Sequence, residues 1–434
     1  MKNLGILGGG LAGLSFANFF DGESVILEKN NIIGGLCRSF NFNDVIYDIG
    51  PHIIFSKNKE VLDFHTGLID TNTIKRSNSI YYKGRFVKYP FENDLFSLPS
   101  RDKDYCLNEF LNNPYENYDA NNMLQFFLKT FGEGITRLYL QPYNEKIWKF
   151  DSSCMDLQMV SRIPKPPKED VINSSKGIST EGYKHQLFFH YPKSGGIQSL
   201  INAYGELIKN KTEIVNSVEI LSISKINSNW NIETKNKGEF LFDSLINCMP
   251  IHELFKYLKA PKEIVNTLNC LKYNSIYIVM INIKKDYLGD QFAIYVPDKD
   301  IIFHRITKLQ FLGSNYKNKD GSTTLLAEIT FRPGSDLSKK PVSFIKQEVI
   351  NGLVECSFIN EKDIYDITVE KHEYAYPIYD LDHRKNTDII QSYLNEIGIR
   401  SVGRFAEFEY MNTDKVAENS MKLASELNEE LKNE

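Results

Sequence analysis

Apolar residues along this chain follow two periods, and each predicts a different kind of element. Asn3–Leu7 is a short, mostly apolar run followed by glycines, the pattern of a buried strand. Leu11–Phe20 carries apolar side chains at helical spacing, and Ser24–Glu28 is a second strand-like run. Together they predict a βαβ unit within the first 28 residues, and with it a parallel sheet and a right-handed crossover. Ser79–Tyr82 and Arg85–Tyr89 alternate polar and aromatic residues around Lys83-Gly84, as a hairpin does. From Asp94 to Trp148 apolar positions recur with a helical period, including Met123, Phe126, Phe127 and Phe131, with a break at Asn113-Pro114. Ile163–Asp170 is rich in proline and charge and predicts an extended surface segment. A helix is expected from Ile197. Strands are expected at Ser217–Ile223, Trp230–Thr234, Ser244–Cys248, Ser275–Ile283, Phe292–Val296, Ile301–Thr307 and Thr323–Thr330, then helices at Ile389–Ile397 and Lys415–Leu431.

Composition narrows the class. A chain of 434 residues suggests two or three domains, and 42% hydrophobic with 25% charged residues is ordinary globular usage. The formal charge of −5 gives no basic field of the kind nucleic-acid binders carry, so an anionic ligand has to be met by local cations. Six scattered cysteines without CxxC or paired Cys/His spacing fit a reducing compartment and suggest no metal site. No apolar run reaches the roughly 18 residues of a membrane span. The first residues resemble a signal peptide only superficially, because their glycines cluster as in a turn and no clean cleavage site follows. A cytoplasmic protein is expected.

Gly8-Gly9-Gly10-Leu11-Ala12-Gly13 fits GxGxxG between the first strand and helix, and Glu28 closes the second strand. In such a unit the first glycine permits the turn, the second lets a pyrophosphate approach, and the third lets helix and sheet pack. A carboxylate at the second strand end is placed to accept hydrogen bonds from a ribose diol. Gly34-Gly35-Leu36-Cys37-Arg38 and Tyr47-Asp48-Ile49-Gly50 follow; the glycine pair allows close approach to a pyrophosphate or flavin edge, and Arg38 can neutralise phosphates.

This series resembles the FAD family that contains amine oxidases, protoporphyrinogen oxidase, phytoene desaturases and UDP-galactopyranose mutases. Val218 and Met249-Pro250 match a later strand and strand end that meet the cofactor there. Further blocks resemble the mutase branch, particularly its eukaryotic-type sequences: Gly50–Ser56, Lys83–Asn93, Gln141–Trp148, Phe303–Thr307, Tyr376-Pro377-Ile378 and Gly403–Ala406. The resemblance implies an α/β fold: a Rossmann-like FAD-binding domain (1–71, 194–270 and 385–434) interleaved with a helical lid region (94–150) and an antiparallel-sheet substrate domain (72–93, 151–193 and 271–384).

It also implies site residues. Cofactor contacts fall on Gly8, Gly10, Leu11, Ala12, Gly13, Glu28, Lys29, Gly35, Leu36, Arg38, Val218, Arg404 and Asn412. His52 sits over the flavin ring, Arg162 and Arg305 clamp a nucleotide-sugar diphosphate, Tyr376 and Tyr410 reach the same group, and Tyr89, Phe91 and Glu92 line the base pocket. The implied chemistry is ring contraction of a nucleotide-linked pyranose. Reduced FAD attacks the anomeric carbon through N5 and displaces the nucleoside diphosphate, with NAD(P)H or another reductant supplying electrons. An FAD-dependent oxidase or desaturase on the same fold is the alternative.

Three departures leave the nucleotide and sugar open. Glu92 replaces the usual glutamine; an ionised carboxylate only accepts, so it can take a uracil N–H but suits a guanine edge at least as well. The branch's Trp-Gly-Pro-Asn stretch is replaced near Gly182-Tyr183-Lys184-His185, and Asn412 stands where many members carry aspartate. A UDP-sugar is therefore the expected substrate, with GDP- and dTDP-sugars open.

Overall fold

The computed structural model describes residues 3–160, 163, 165–180 and 187–433. Its first layer is a five-stranded sheet in the order Ile399–Ser401, Ser244–Asn247, Leu4–Leu7, Ser24–Leu27, Thr212–Val215. Each neighbouring pair runs parallel. Leu4–Leu7 is central and buried throughout, as expected of a strand covered on both faces. Leu4 and Ile6 join a core built with the helices Leu11–Phe19, Gln198–Ile208 and Thr413–Asn433. Leu7 faces the opposite core, with Trp230, Ile251 and Ile390. Strand alternation thus sends neighbouring side chains into separate cores.

The second layer is a seven-stranded sheet in the order Ile364–Ile378, Lys272–Ile283, Thr323–Phe331, Arg305–Lys308, Ala293–Tyr295, Asn78–Tyr82, Arg85–Lys88. Tyr277, Val279 and Ile281 pack one face against the helix Val342–Glu355, while Ile276, Ile278 and Met280 face Tyr47, Phe189 and Leu326. The pairings are antiparallel except one: Ala293–Tyr295 runs parallel to Asn78–Tyr82, which brings the early hairpin onto the sheet edge. The hairpin also packs on the helices Ser100–Leu111, Met123–Ile135 and Gln141–Trp148, the last two joined by a π-helical turn at Thr136–Leu140. Among the described residues no helix is long and apolar enough to cross a membrane.

Several local expectations are corrected. Ile163–Asp170 is not extended throughout: a helix begins at Lys168 and runs to Ser175, with Pro167 before it and Glu169 and Asp170 in its first turn, where acids suit the helix dipole. The strand expected at Ile301–Thr307 is confined to Arg305–Lys308. That expected from Ser217 begins at Ile220, because Ser217 takes a left-handed φ of 58°. The helix expected at Ile389 starts at His383, in a polar turn without apolar period.

The helix after the glycine-rich turn lies so close to the strand that a Cβ at Gly13 would fall 2.3 Å from the Gly8 carbonyl oxygen. Gly13→Ala is expected to destabilise the protein by about 1–3 kcal/mol. Gly67→Ala, in a helix with nothing within 4 Å of the added carbon, is expected to be neutral or mildly stabilising. Equal unfolding midpoints for the two variants would contradict the close packing.

Candidate functional site

The glycine-rich turn forms the floor of the site. Gly8 takes a φ of 107° that favours glycine. Among the described residues no side chain caps the helix Leu11–Phe19, whose first turn, Leu11-Ala12-Gly13, carries no acid. A Cβ at Gly10 would meet nothing closer than 3.7 Å, so this part of the turn is open, and helix N–H groups left without caps suit an anion. Gly34 donates its N–H to Gly9 O at 2.8 Å, and Arg38 Nε donates to Gly35 O at 3.0 Å. Glu28, 4% exposed, accepts from Gly9 N and Asn30 N, each at 2.8 Å, and from the Asn30 amide. Val218 donates its N–H to Glu28 O at 2.9 Å. Lys29 is exposed beside them, Leu36 packs at the edge of the neighbouring core, and Asn412 is exposed just before the C-terminal helix.

Asp48 fixes the loop that follows it to three neighbouring elements. Its buried carboxylate accepts from Ser39 Oγ (2.7 Å), Tyr191 Oη (2.7 Å), Ile197 N (3.1 Å) and His52 N (3.2 Å). The loop 49–52 is thereby held over the sheet. Burial depresses the His52 pKa; Asp48 opposes this, and Arg404 and Arg305 add to it. His52 Nδ1 is buried without a hydrogen-bond partner among the described residues.

Arg305 and Glu328 face each other across adjacent strands. Arg305 donates from Nε to Glu328 Oε1 at 2.6 Å and from Nη2 to Oε2 at 2.7 Å, a bidentate pair. Glu328 is 1% exposed. Burial alone lowers the Arg305 pKa, but the carboxylate outweighs it and holds the guanidinium well above its usual value. Tyr295 lies opposite Arg305 on the next strand, its ring 5.1 Å from Tyr89 and 5.4 Å from Tyr143.

A second guanidinium lies nearby. Arg404 stands over the rings of Tyr410 (4.5 Å) and Tyr376 (5.0 Å), which stack on each other at 5.9 Å. Trp148 meets both tyrosines edge-on. Arg404 Nη1 donates to Met411 O at 3.5 Å, whereas Nε and Nη2 are buried with no hydrogen-bond partner among the described residues. Gly403 packs so tightly on the uncapped helix that its Cβ would lie 2.7 Å from that of Ala12. Arg404 is therefore positioned between the glycine-rich floor and the tyrosines.

The structure thus brings His52, Arg305, Arg404, Tyr376 and Tyr410 together. Tyr89 is half-buried at the edge of this group. Phe91 is fully buried, stacked on Tyr139 at 4.9 Å. Glu92 is buried next to Phe91, and burial pushes its carboxyl up to about 7. Arg162 and the stretch Gly182–His185 lie outside the described residues. Sequence reasoning missed Tyr295 and Glu328. For Glu328 the signal was present: a lone acid in the otherwise uncharged run Thr323–Phe331 demands a partner when that strand is buried.

Comparison with known proteins agrees with this architecture. Residues 6–68 match the family described as NAD(P)-binding Rossmann-like domain. The whole fold is similar to that of reduced UDP-galactopyranose mutase, with a TM-score of 0.89 at 24% identity over 98% of this chain and 95% of that one. A protoporphyrinogen oxidase-like protein from Exiguobacterium sp. 255-15 gives 0.76 at 17% identity, covering 99% of each chain. A CLA-producing fatty acid isomerase from P. acnes gives 0.66 at 15%, covering 98% of each. The chain therefore has the mixed α/β fold of the mutase, a Rossmann-like layer joined to antiparallel sheets, and the other two proteins compared share that fold.

Two predictions follow from the buried acids. Arg305→Ala leaves Glu328 buried without its partner and is expected to cost about 3 kcal/mol in urea unfolding, much of it recovered in an Arg305→Met/Glu328→Leu double variant. A double variant no more stable than the single one would contradict this. Glu92 has a folded-state pKa above its unfolded value, so it contributes stability below about pH 4.5 that is lost as pH rises through about 7. The stability of Glu92→Gln relative to wild type should therefore rise between those pH values and level off above them; a flat difference would count against it.

Proposed function

We propose that this chain is a flavin-dependent mutase that interconverts the pyranose and furanose forms of a nucleotide-linked sugar. The observation that carries the reading is Arg305, paired bidentately with Glu328 and gathered with Tyr376 and Tyr410 near the glycine-rich floor, with Arg404 between that floor and the tyrosines. A diphosphate leaving group needs that arrangement; the apolar tunnel expected of an oxidase would not.

The residues fit FAD. The open turn at Gly10, the uncapped helix and the unpartnered Arg404 nitrogens suit a pyrophosphate, and Glu28 retains acceptor capacity for a ribose diol. Gly8, Leu11, Ala12, Gly13, Gly35, Leu36, Arg38, Val218, Lys29 and Asn412 complete the proposed cofactor set. Bound in its reduced form, the flavin supplies a nucleophile for the anomeric carbon of the sugar.

The remaining work falls to the protein. Arg305 and, by resemblance, Arg162 neutralise the departing nucleoside diphosphate with fixed donors. Tyr376, Tyr410 and Tyr295 offer hydroxyls beside them. His52, kept neutral by burial, adds no standing positive charge to the site and can accept a proton or hydrogen bond at one ring nitrogen. Near neutrality Glu92 is partly protonated, and a neutral carboxyl offers one donor and one acceptor, as an amide does. That complement supports uracil recognition.

The test is incubation of dithionite- or NAD(P)H-reduced protein with UDP-galactopyranose, and separately with GDP- and dTDP-sugars, analysing for furanose products. Furanose should form without net consumption of an electron acceptor, and oxidised protein should be inactive. Stoichiometric oxygen uptake with no furanose would overturn the reading in favour of an oxidase. Arg305→Lys keeps a charge against Glu328 but loses the fork, and should lower turnover about a hundredfold with FAD retained. Full activity in that variant would remove Arg305 from the clamp.

A further inference from the structure

We infer that Glu328 is a positioning residue for the proposed reaction: it fixes which edge of the Arg305 guanidinium is presented to the ligand. The inference rests on the mutase reading and concerns a residue with no ligand contact of its own.

A guanidinium has five N–H donors in a rigid plane. Glu328 takes the Nε donor and one Nη2 donor. What remains is the end of the fork, the two N–H groups of Nη1 and the second of Nη2. A phosphoryl group can therefore be gripped only end-on.

Three features keep the pair in this state. Arg305 and Glu328 are register partners in a continuous sheet, so their backbones cannot separate without breaking strand pairing. Gly50, at a φ of 70°, crosses so near that a Cβ there would lie 3.2 Å from Glu328 Oε2 and 3.4 Å from Arg305 Nη2. The loop thus walls the edge already in use. His304 Nε2 lies 3.9 Å from Glu328 Oε2, and burial holds the His304 pKa well below its usual value, so it brings no rival charge.

Charge and orientation then work in opposite directions, and the test exploits this. Removing the Glu328 charge leaves more net positive charge for an anion but frees the fork to turn. Glu328→Gln should therefore bind UDP as tightly as wild type or tighter in calorimetric titration, while kcat falls at least about tenfold. Glu328→Asp keeps the charge and shortens the reach, and should recover part of kcat with UDP affinity within about twofold of wild type. If the glutamine variant does not fold, the aspartate variant alone should show reduced kcat at near-native UDP affinity.

Unchanged kcat in either variant would overturn the inference. Parallel loss of UDP affinity, kcat and thermal midpoint would also overturn it, since that is the signature of a merely structural pair. Wild-type protein that forms furanose while its Glu328 variants show no such split removes only the role of Glu328. Wild-type protein that binds no nucleoside diphosphate removes the mutase reading as well.

Discussion

Glu328 occupies a strand made otherwise of threonine, leucine, alanine, isoleucine and phenylalanine, and water reaches almost none of it. A lone charge there is tolerable only because Arg305 meets it with two short hydrogen bonds from the neighbouring strand. Much of the surrounding structure follows. The strands have to pair in one register, the crossing loop needs glycine at position 50, and that loop has to be anchored where it crosses. Asp48 supplies the anchor by accepting from three elements and from the loop itself. One buried acid holds the cation, and the other holds the chain that covers it.

The two guanidiniums differ in character for the same reason. Arg305 is balanced within the sheet. Among the described residues Arg404 has two aromatic faces and a single long hydrogen bond to a main-chain carbonyl. Rings stabilise a cation without using its hydrogen-bonding capacity. A cation balanced by its carboxylate and one held by rings can stand near each other without forming two bare charges side by side.

The glycine-rich end was legible because its rules are local. Strand, glycine turn, helix and terminal acid lie within 28 consecutive residues, and each has a steric reason. The hairpin and the helical region were legible from period alone. The strand Ile364–Ile378 went unseen because Asp366, Glu370, Lys371 and Glu373 break its apolar pattern, as an incompletely covered strand allows. Within the site, His52, Arg305, Tyr376, Tyr410 and Arg404 came from motif resemblance, since nothing in the spacing of 52, 305 and 404 announces that they meet. The pairing of Arg305 with Glu328 depends on strand register, which sequence pattern does not specify for a strand buried on both faces.

The single parallel contact between Asn78–Tyr82 and Ala293–Tyr295 has a bearing on how the molecule is made. As the polypeptide leaves the ribosome, the hairpin emerges more than 200 residues before the strand that receives it. Leu4–Leu7 likewise waits for Ser244–Asn247 on one side. Both layers therefore stay incomplete through the first half of synthesis, exposing unpaired edges that invite aggregation. Breaking the chain near its middle would leave the first fragment with three of the five parallel strands and two of the seven in the other sheet, so neither fragment could complete either layer.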